Sequence, residues 1–179
     1  MTGSDQRAWV RLGPDRTAYD GFVRVLHRTF LLPGGRTAVW DILDVPATVT
    51  VLALTPDREA MCVRQFRAGP GRRMLSLPGG LVDPGEDLLE AAARELREET
   101  GYVGTRLEIA AVTHANSRTE PSYAVVAHDC EALHDQDLDD LEDCEVVLLG
   151  LPELRARLRR GELSATEQTY LALDHLNLL

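Results

Sequence analysis

The spacing of apolar and polar positions predicts the elements of this chain before any chemistry is considered. From Phe22 to Leu31 the two classes partly alternate, Pro33-Gly34-Gly35 marks a turn, and Thr37 to Val45 forms a second run. Residues 1–45 thus read as an N-terminal strand region. Two stronger strands follow, Ala47 to Leu54 and Ala60 to Phe66, both rich in Val, Thr and Leu and split by Thr55-Pro56-Asp57. A glycine- and arginine-rich loop, Arg67 to Arg73, leads into Leu75-Ser76-Leu77-Pro78-Gly79-Gly80. After Pro84-Gly85 the period changes from two to about 3.6. Leu88, Leu89, Ala92, Ala93 and Leu96 make one stripe, and Gly101 supplies a stop, so a helix is predicted over roughly Asp87 to Thr100.

Strands return at Arg106 to Val112, Ser122 to Ala127 and Glu145 to Leu149. A short helix, Leu154 to Arg160, ends at Gly161. Ser164 is predicted to cap a last helix over roughly Ala165 to Leu176, with Glu167 as its capping-box partner. One central helix among many strands argues for an α+β fold, with helices packed on a mixed sheet. The expected division is a strand extension at 1–45 and a main domain at 46–179.

Length and charge narrow the function. A chain of 179 residues fits one domain with a real core better than two. No apolar run approaches ~20 residues, so no membrane-spanning helix is expected. The N-terminus lacks the apolar core of a signal peptide, which makes the cytoplasm the expected location. Cys62, Cys130 and Cys144 are widely spaced, with no C-x-x-C pair, so neither a disulfide framework nor a zinc site is indicated. Cys62 and Cys130 are expected to sit in strands as small apolar residues. The net charge of −10 would repel a nucleic-acid backbone. It leaves room for a small polyphosphate, because carboxylates can hold divalent cations that in turn hold phosphates.

One segment carries the chemistry. Gly80 to Tyr102 is a loop feeding the predicted helix, with Glu95, Glu98 and Glu99 in its last turns. At ~100° per residue Glu95 and Glu99 stand one above the other, with Glu98 beside them. Such neighbours repel each other by a few tenths of a kcal/mol per pair. They also sit where the helix macrodipole disfavours negative charge. An exposed acidic face bridged by Arg94 and Arg97 is the plain alternative; bound divalent cations would resolve the conflict more fully.

The spacing decides between the two. Gly80, Glu86, Arg94, Glu95, Leu96, Glu98, Glu99, Gly101 and Tyr102 fill all nine specified places of G-x5-E-x7-R-E-U-x-E-E-x-G-U, where U is apolar. At ordinary residue frequencies a chance match anywhere in the chain is on the order of one in a million or less. On these residues the chain is identified as a member of the Nudix hydrolases. The resemblance implies the Nudix fold, with mixed β-sheets sandwiched between helices. It implies Mg²⁺, with Mn²⁺ as a substitute, bound by Glu95 and Glu99 with Glu98 assisting, and a backbone carbonyl from Gly79 or Gly80. Glu86 and Arg94 would orient that cluster through a salt bridge, and Gly80 and Gly101 would serve turns at the two ends of the box. The implied reaction is hydrolysis of a diphosphate bond, with Glu98 and Glu99 in the catalytic centre and no protein nucleophile.

Val63-Arg64-Gln65-Phe66-Arg67 followed by Leu77-Pro78-Gly79-Gly80 resembles the corresponding pattern of ADP-ribose and nucleotide-sugar pyrophosphatases. By that likeness Arg67 and Gln65 would face the substrate. Arg72 and Arg73 could screen phosphates, with a solvated loop as the plainer reading. The stretch Asp140-Leu-Glu142-Asp-Cys-Glu145 resembles the late acidic loop of the same group, which would put Glu142 on a metal and Asp140 near the catalytic base. A plain solvated loop is the alternative. Two departures bear on substrate. Ser76 stands where the group usually has a glutamate, and the proline expected about sixteen residues after the box is replaced by His114 to Glu120. There Asn116, Ser117 and Arg118 could read the distal part of the substrate or form a surface turn. Trp40 and Phe30 are candidates for base stacking, with core packing as the simpler assignment.

The group's N-terminal region builds a homodimer whose partner chain completes the pocket, and the ~45 residues before the main domain fit that expectation. A nucleoside-triphosphate house-cleaning enzyme is the alternative activity. A non-catalytic Nudix ligand-binding domain is the alternative of another class; the intact box glutamates argue against it.

Overall fold

The computed structural model describes residues 8–139 and 142–179. Its contacts divide the chain into two compact units. The first runs up to Pro46 and takes in His114–Pro121, and the second holds Ala47–Thr113 and Ser122–Leu179.

In the first unit four strands form one antiparallel sheet: β1 (Val10–Arg11), β2 (Arg16–Asp20), β3 (Arg24–Leu31) and β4 (Thr37–Asp44). β4 pairs along the whole of β3, from Arg24↔Asp44 to Leu31↔Thr37. β1 and β2 follow one another along the other edge of β3. The hairpin between β3 and β4 turns on Gly34 and Gly35, whose φ of 92° and 82° few L-residues tolerate. Trp9 packs its ring against both Phe30 and Trp40, with centroids 5.9 and 5.7 Å apart. Residues 114–121 lie along the end of β4, where Leu43 N–H donates to Ser117 O and Thr119 N–H donates to Leu43 O. The sequence pattern gave no sign of this long-range pairing, because 114–121 lacks strand periodicity.

The second unit contains β5 (Thr48–Ala53), β6 (Glu59–Arg67), β7 (Arg72–Ser76), α1 (Leu88–Thr100), β8 (Tyr102–Val103), β9 (Arg106–Thr113), β10 (Ser122–His128), β11 (Glu131–Ala132), β12 (Glu145–Gly150), α2 (Leu151–Arg159) and α3 (Thr166–His175). One sheet runs β5-β10-β9, with β5 parallel to β10 and β9 antiparallel to it. The other runs β12-β6-β7, all antiparallel. β8 and β11 make a small separate pair.

Alternation along these strands builds two cores. Val49, Val51, Ala53, Met61, Val125 and Ala127 pack with Ala92 and Leu96 of α1. Leu52, Leu54, Cys62, Ala124 and Val126 pack with Leu154 and Leu158 of α2 and Leu173 of α3. Strands buried on both faces read as unbroken apolar runs, which is the pattern of Val51 to Leu54. The sheets thus lie between α1 on one side and α2 with α3 on the other. Truncating a fully buried side chain such as Leu96 costs about 2–5 kcal/mol. Among the described residues no helix is long and apolar enough to cross a membrane.

Several local expectations need correction. Arg67 to Arg73 is a hairpin, since β6 continues to Arg67 and β7 begins at Arg72, with Arg67↔Arg72 paired. β7 is an edge strand whose arginines stay exposed, so it carries no apolar alternation to announce it. α2 starts at Leu151 and accommodates Pro152 in its first turn, where a missing N–H costs little. Ser164 does not cap α3. The N-cap is Ala165, at φ 54°, while Ser164 N–H donates to Leu75 O, tying the entry of α3 to β7. In α1, Ala91 is buried and Ala93 exposed. All three cysteines are buried, but Cys130 lies in the turn after β10.

Candidate active site

α1 is fixed at both ends by its own sequence. The Asp87 carboxylate accepts from the N–H groups of Leu89 and Glu90 at 2.9 and 3.2 Å. Gly101 closes the other end at φ 76°, donating to Arg97 O at 2.7 Å. A Cβ there would stand 2.2 Å from His134 O. The chain past β11 docks on this helix end and satisfies carbonyls that a helix leaves open. Asp137 N–H donates to Glu98 O, the Gln136 side-chain amide donates to Glu99 O, and the N–H groups of Leu133 and His134 donate to Gly101 O.

Arg94 is the hub of the helix face. Its guanidinium donates to both oxygens of Glu86 at 2.8 and 3.0 Å, to Glu95 at 2.8 Å, to Glu98 at 3.2 Å and to the Leu81 carbonyl at 3.0 Å. Those bonds, with one from Asp83 N–H, hold the Glu86 carboxyl down at about 2. Glu95 goes the other way: burial pushes its carboxyl up against the pull of Arg94, and Glu98 and Glu142 add to the push. A Cβ on Gly80 would come within 2.6 Å of the Glu95 carboxylate, which would then have to move from its place beside Arg94.

Glu99 faces inward and is 3% exposed. It accepts from Gly79 N–H at 2.8 Å and from the Gln65 amide at 3.1 Å, with the Cys144 Sγ at 3.6 Å. Burial is the main cause that raises its carboxyl to about 7, opposed by Gly79 N–H and reinforced by the charges of Glu95 and Glu142. Gln65 is itself buried and also donates to Cys144 Sγ. Gln65 therefore reaches the site through its contact with Glu99. Gly79, at φ 150°, lies so close to β5 that a Cβ would meet Val49 O at 2.2 Å. The Gly80 carbonyl accepts from Val49 N–H, which leaves Gly79 as the glycine whose carbonyl β5 does not engage. The buried Ser76 hydroxyl has no partner among the described residues.

Glu142 comes to the same place from another part of the chain. With Arg94, Glu95, Glu98, Asp137 and Asp139 it lines a pocket of about 200 Å³. Its neighbour Asp143 anchors this stretch to the β6–β7 hairpin by accepting from Phe66 N–H at 3.0 Å and pairing with Arg73. Asp140 lies outside the described residues. Arg67 is half-buried at the end of β6. Arg118 belongs to the first unit, where it donates to the Pro46 carbonyl at 3.3 Å. Sequence reasoning missed Gln136, Asp143 and Cys144. The available signal was a lone amide and a lone thiol inside an acidic run.

Among the described residues no three His, Cys, Asp or Glu side chains are arranged to grip an ion as they stand. Arg94 occupies the space between Glu86, Glu95 and Glu98. The donor chemistry nonetheless fits a hard divalent cation. Glu95, Glu99 and Glu142 are mutually repelling carboxylates, two of them partly or wholly buried, beside glycine backbone held open by the absence of a side chain.

Known proteins share this sequence pattern and this fold. The model of the NUDIX domain matches residues 44–168. An ADP-ribose pyrophosphatase of Bacillus subtilis is 30% identical over 150 residues, covering 82% of this chain and 80% of that protein. An ADP-sugar pyrophosphatase of Mus musculus is 34% identical over 94 residues, 46% of this chain and 43% of that protein. A crystal structure of an ADP compounds hydrolase superposes with a TM-score of 0.78 at 22% identity, covering 99% of this chain and 100% of that one.

Proposed function

The chain belongs to the NUDIX domain family and is a Nudix hydrolase, and from that premise we propose that it uses Mg²⁺ to split the diphosphate bond of ADP-ribose or a nucleotide sugar. The products are a nucleoside monophosphate and a phosphorylated sugar. The observation that carries the reading is Glu99, a carboxylate almost without solvent and held by two donors at the mouth of the Gly79-Gly80 loop. Retaining a buried acid at the acid-crowded end of a helix costs stability, and cation binding accounts for it. The names of the relatives support the substrate class.

In this reading Glu95 and Glu99, with Glu98, Glu142 and the Gly79 carbonyl, hold Mg²⁺ or Mn²⁺. The bound cation supplies positive charge against the diphosphate and makes water more acidic. Gln65 and Gly79 N–H fix the Glu99 carboxylate, while Arg94 fixes Glu95 and Glu98 and keeps Glu86 ionised. Asp140 takes the proton of the attacking water, whose oxygen bonds to phosphorus as the bridging P–O bond breaks. Arg67 meets the substrate's phosphates or sugar. The first unit, with Trp9, Val10, Val39 and Trp40 exposed on its sheet, is the dimerisation element, and the partner chain completes the pocket.

The test is a product assay on ADP-ribose, UDP- and GDP-sugars, diadenosine polyphosphates and dNTPs. The expected result is AMP and ribose 5-phosphate from ADP-ribose with Mg²⁺, abolished by EDTA. Pyrophosphate release from dNTPs with ADP-ribose left intact would overturn the substrate assignment.

A further inference from the structure

We infer that Gln136 is a positioning residue that sets Glu142 opposite the glutamates of α1. The inference rests on the reading of Glu142 given above. Among the described residues from Asp135 to Glu145 most side chains are acidic and exposed, so this stretch repels itself and the acid-rich helix end it lies on. What holds it there is donation to the open carbonyls of α1. Asp137 N–H takes Glu98 O at 2.9 Å, and the Gln136 amide spans from Glu99 O to Cys144 O.

The second of those bonds matters most. Cys144 is buried and begins the return into β12, two residues after Glu142. One neutral side chain thus ties both ends of the segment from Asp137 to Glu142 to the residue whose carboxylate is Glu99. Four members of that segment, Asp137, Leu138, Asp139 and Glu142, line the pocket. An amide is the side chain suited to the task. It donates two hydrogen bonds without adding positive charge that would compete with a cation, and an acid in its place would add repulsion.

Gln136→Met keeps the length and removes both donors. The expected result is a fall in kcat of about tenfold with KM for substrate nearly unchanged, and Mn²⁺ binding by electron paramagnetic resonance weakened severalfold. Hydrogen exchange should rise within 133–144 and stay unchanged in β5 and β10. Gln136→Asn, which shortens the reach, should fall between Met and wild type. If Gln136→Met unfolds the protein, the Asn variant carries the same comparison. Wild-type kcat and Mn²⁺ affinity in both variants, with Glu142→Gln impaired, would overturn the inference. Wild-type behaviour in Glu142→Gln itself would instead sink the assignment of Glu142.

Discussion

In α1 three glutamates are set among fixed partners, whereas the loop from Asp135 to Glu145 carries a similar density of acid mostly open to solvent. Glu95 and Glu98 share Arg94, and Glu99 is enclosed by Gly79, Gln65 and Cys144. In the loop, Asp143 pairs with Arg73 on the exposed hairpin, and such pairs contribute about 1 kcal/mol or less. Acid density therefore does not identify a ligand. Burial without a matching cation marks the stronger candidate, because an enclosed carboxylate is costly unless something balances it. Glu142 lines the pocket of the helix glutamates together with Asp137 and Asp139, and its charge acts on both Glu95 and Glu99.

The largest effect should come from the buried side. Glu99→Gln keeps the shape and the Gly79 bond but removes the charge. Mg²⁺-dependent turnover should drop by about a thousandfold or more, with circular dichroism unchanged; a mild loss would put Glu99 back among structural acids. Glu142→Gln should lower kcat by more than about tenfold, and a smaller loss in steady-state kinetics would return Glu142 to the solvated loop.

A third prediction concerns stability. The Glu86 carboxyl is held down at about 2 by Arg94, against an ordinary value of 4.5. Its contribution is then complete above the ordinary value and is lost as the pH falls from there towards about 2. Glu86→Gln should lower Tm by about 2–4 °C at neutral pH, and the gap to wild type should close on acidification. A gap independent of pH would mean that packing, and not charge, is what the Glu86–Arg94 contact supplies. The smallest effect belongs to Asp135→Asn, where turnover should stay within about twofold. A large loss there would erase the distinction between the two regions.

How much of this was legible in the sequence follows the same physics. The nine box positions and the 3.6 period specify α1, its stop at Gly101 and the carboxylate stack, because each depends on residues close in sequence. β5, β6 and β10 were legible because burial on both faces leaves short apolar runs, Val51–Leu54, Ala60–Val63 and Ala124–Ala127. β7 was not, since an edge strand can be built from exposed arginines. Gln65 was placed on the correct strand, and its contact with Glu99 was not foreseen. Strand alternation gives a side, and only the packing of α1 against β6 tells what waits there. The pairing of residues 114–121 with β4 and the clasp of Gln136 both join distant residues through backbone carbonyls, which no side-chain pattern records.

The most direct measurement is a crystal structure of the protein soaked in Mn²⁺, read by anomalous scattering. The account predicts density bounded by the carboxylates of Glu95 and Glu99 and the Gly79 carbonyl, with Glu142 turned towards it and Arg94 drawn back onto Glu86. Manganese bound elsewhere, with Glu99 still closed on Gln65 and no ion beside it, would contradict the account.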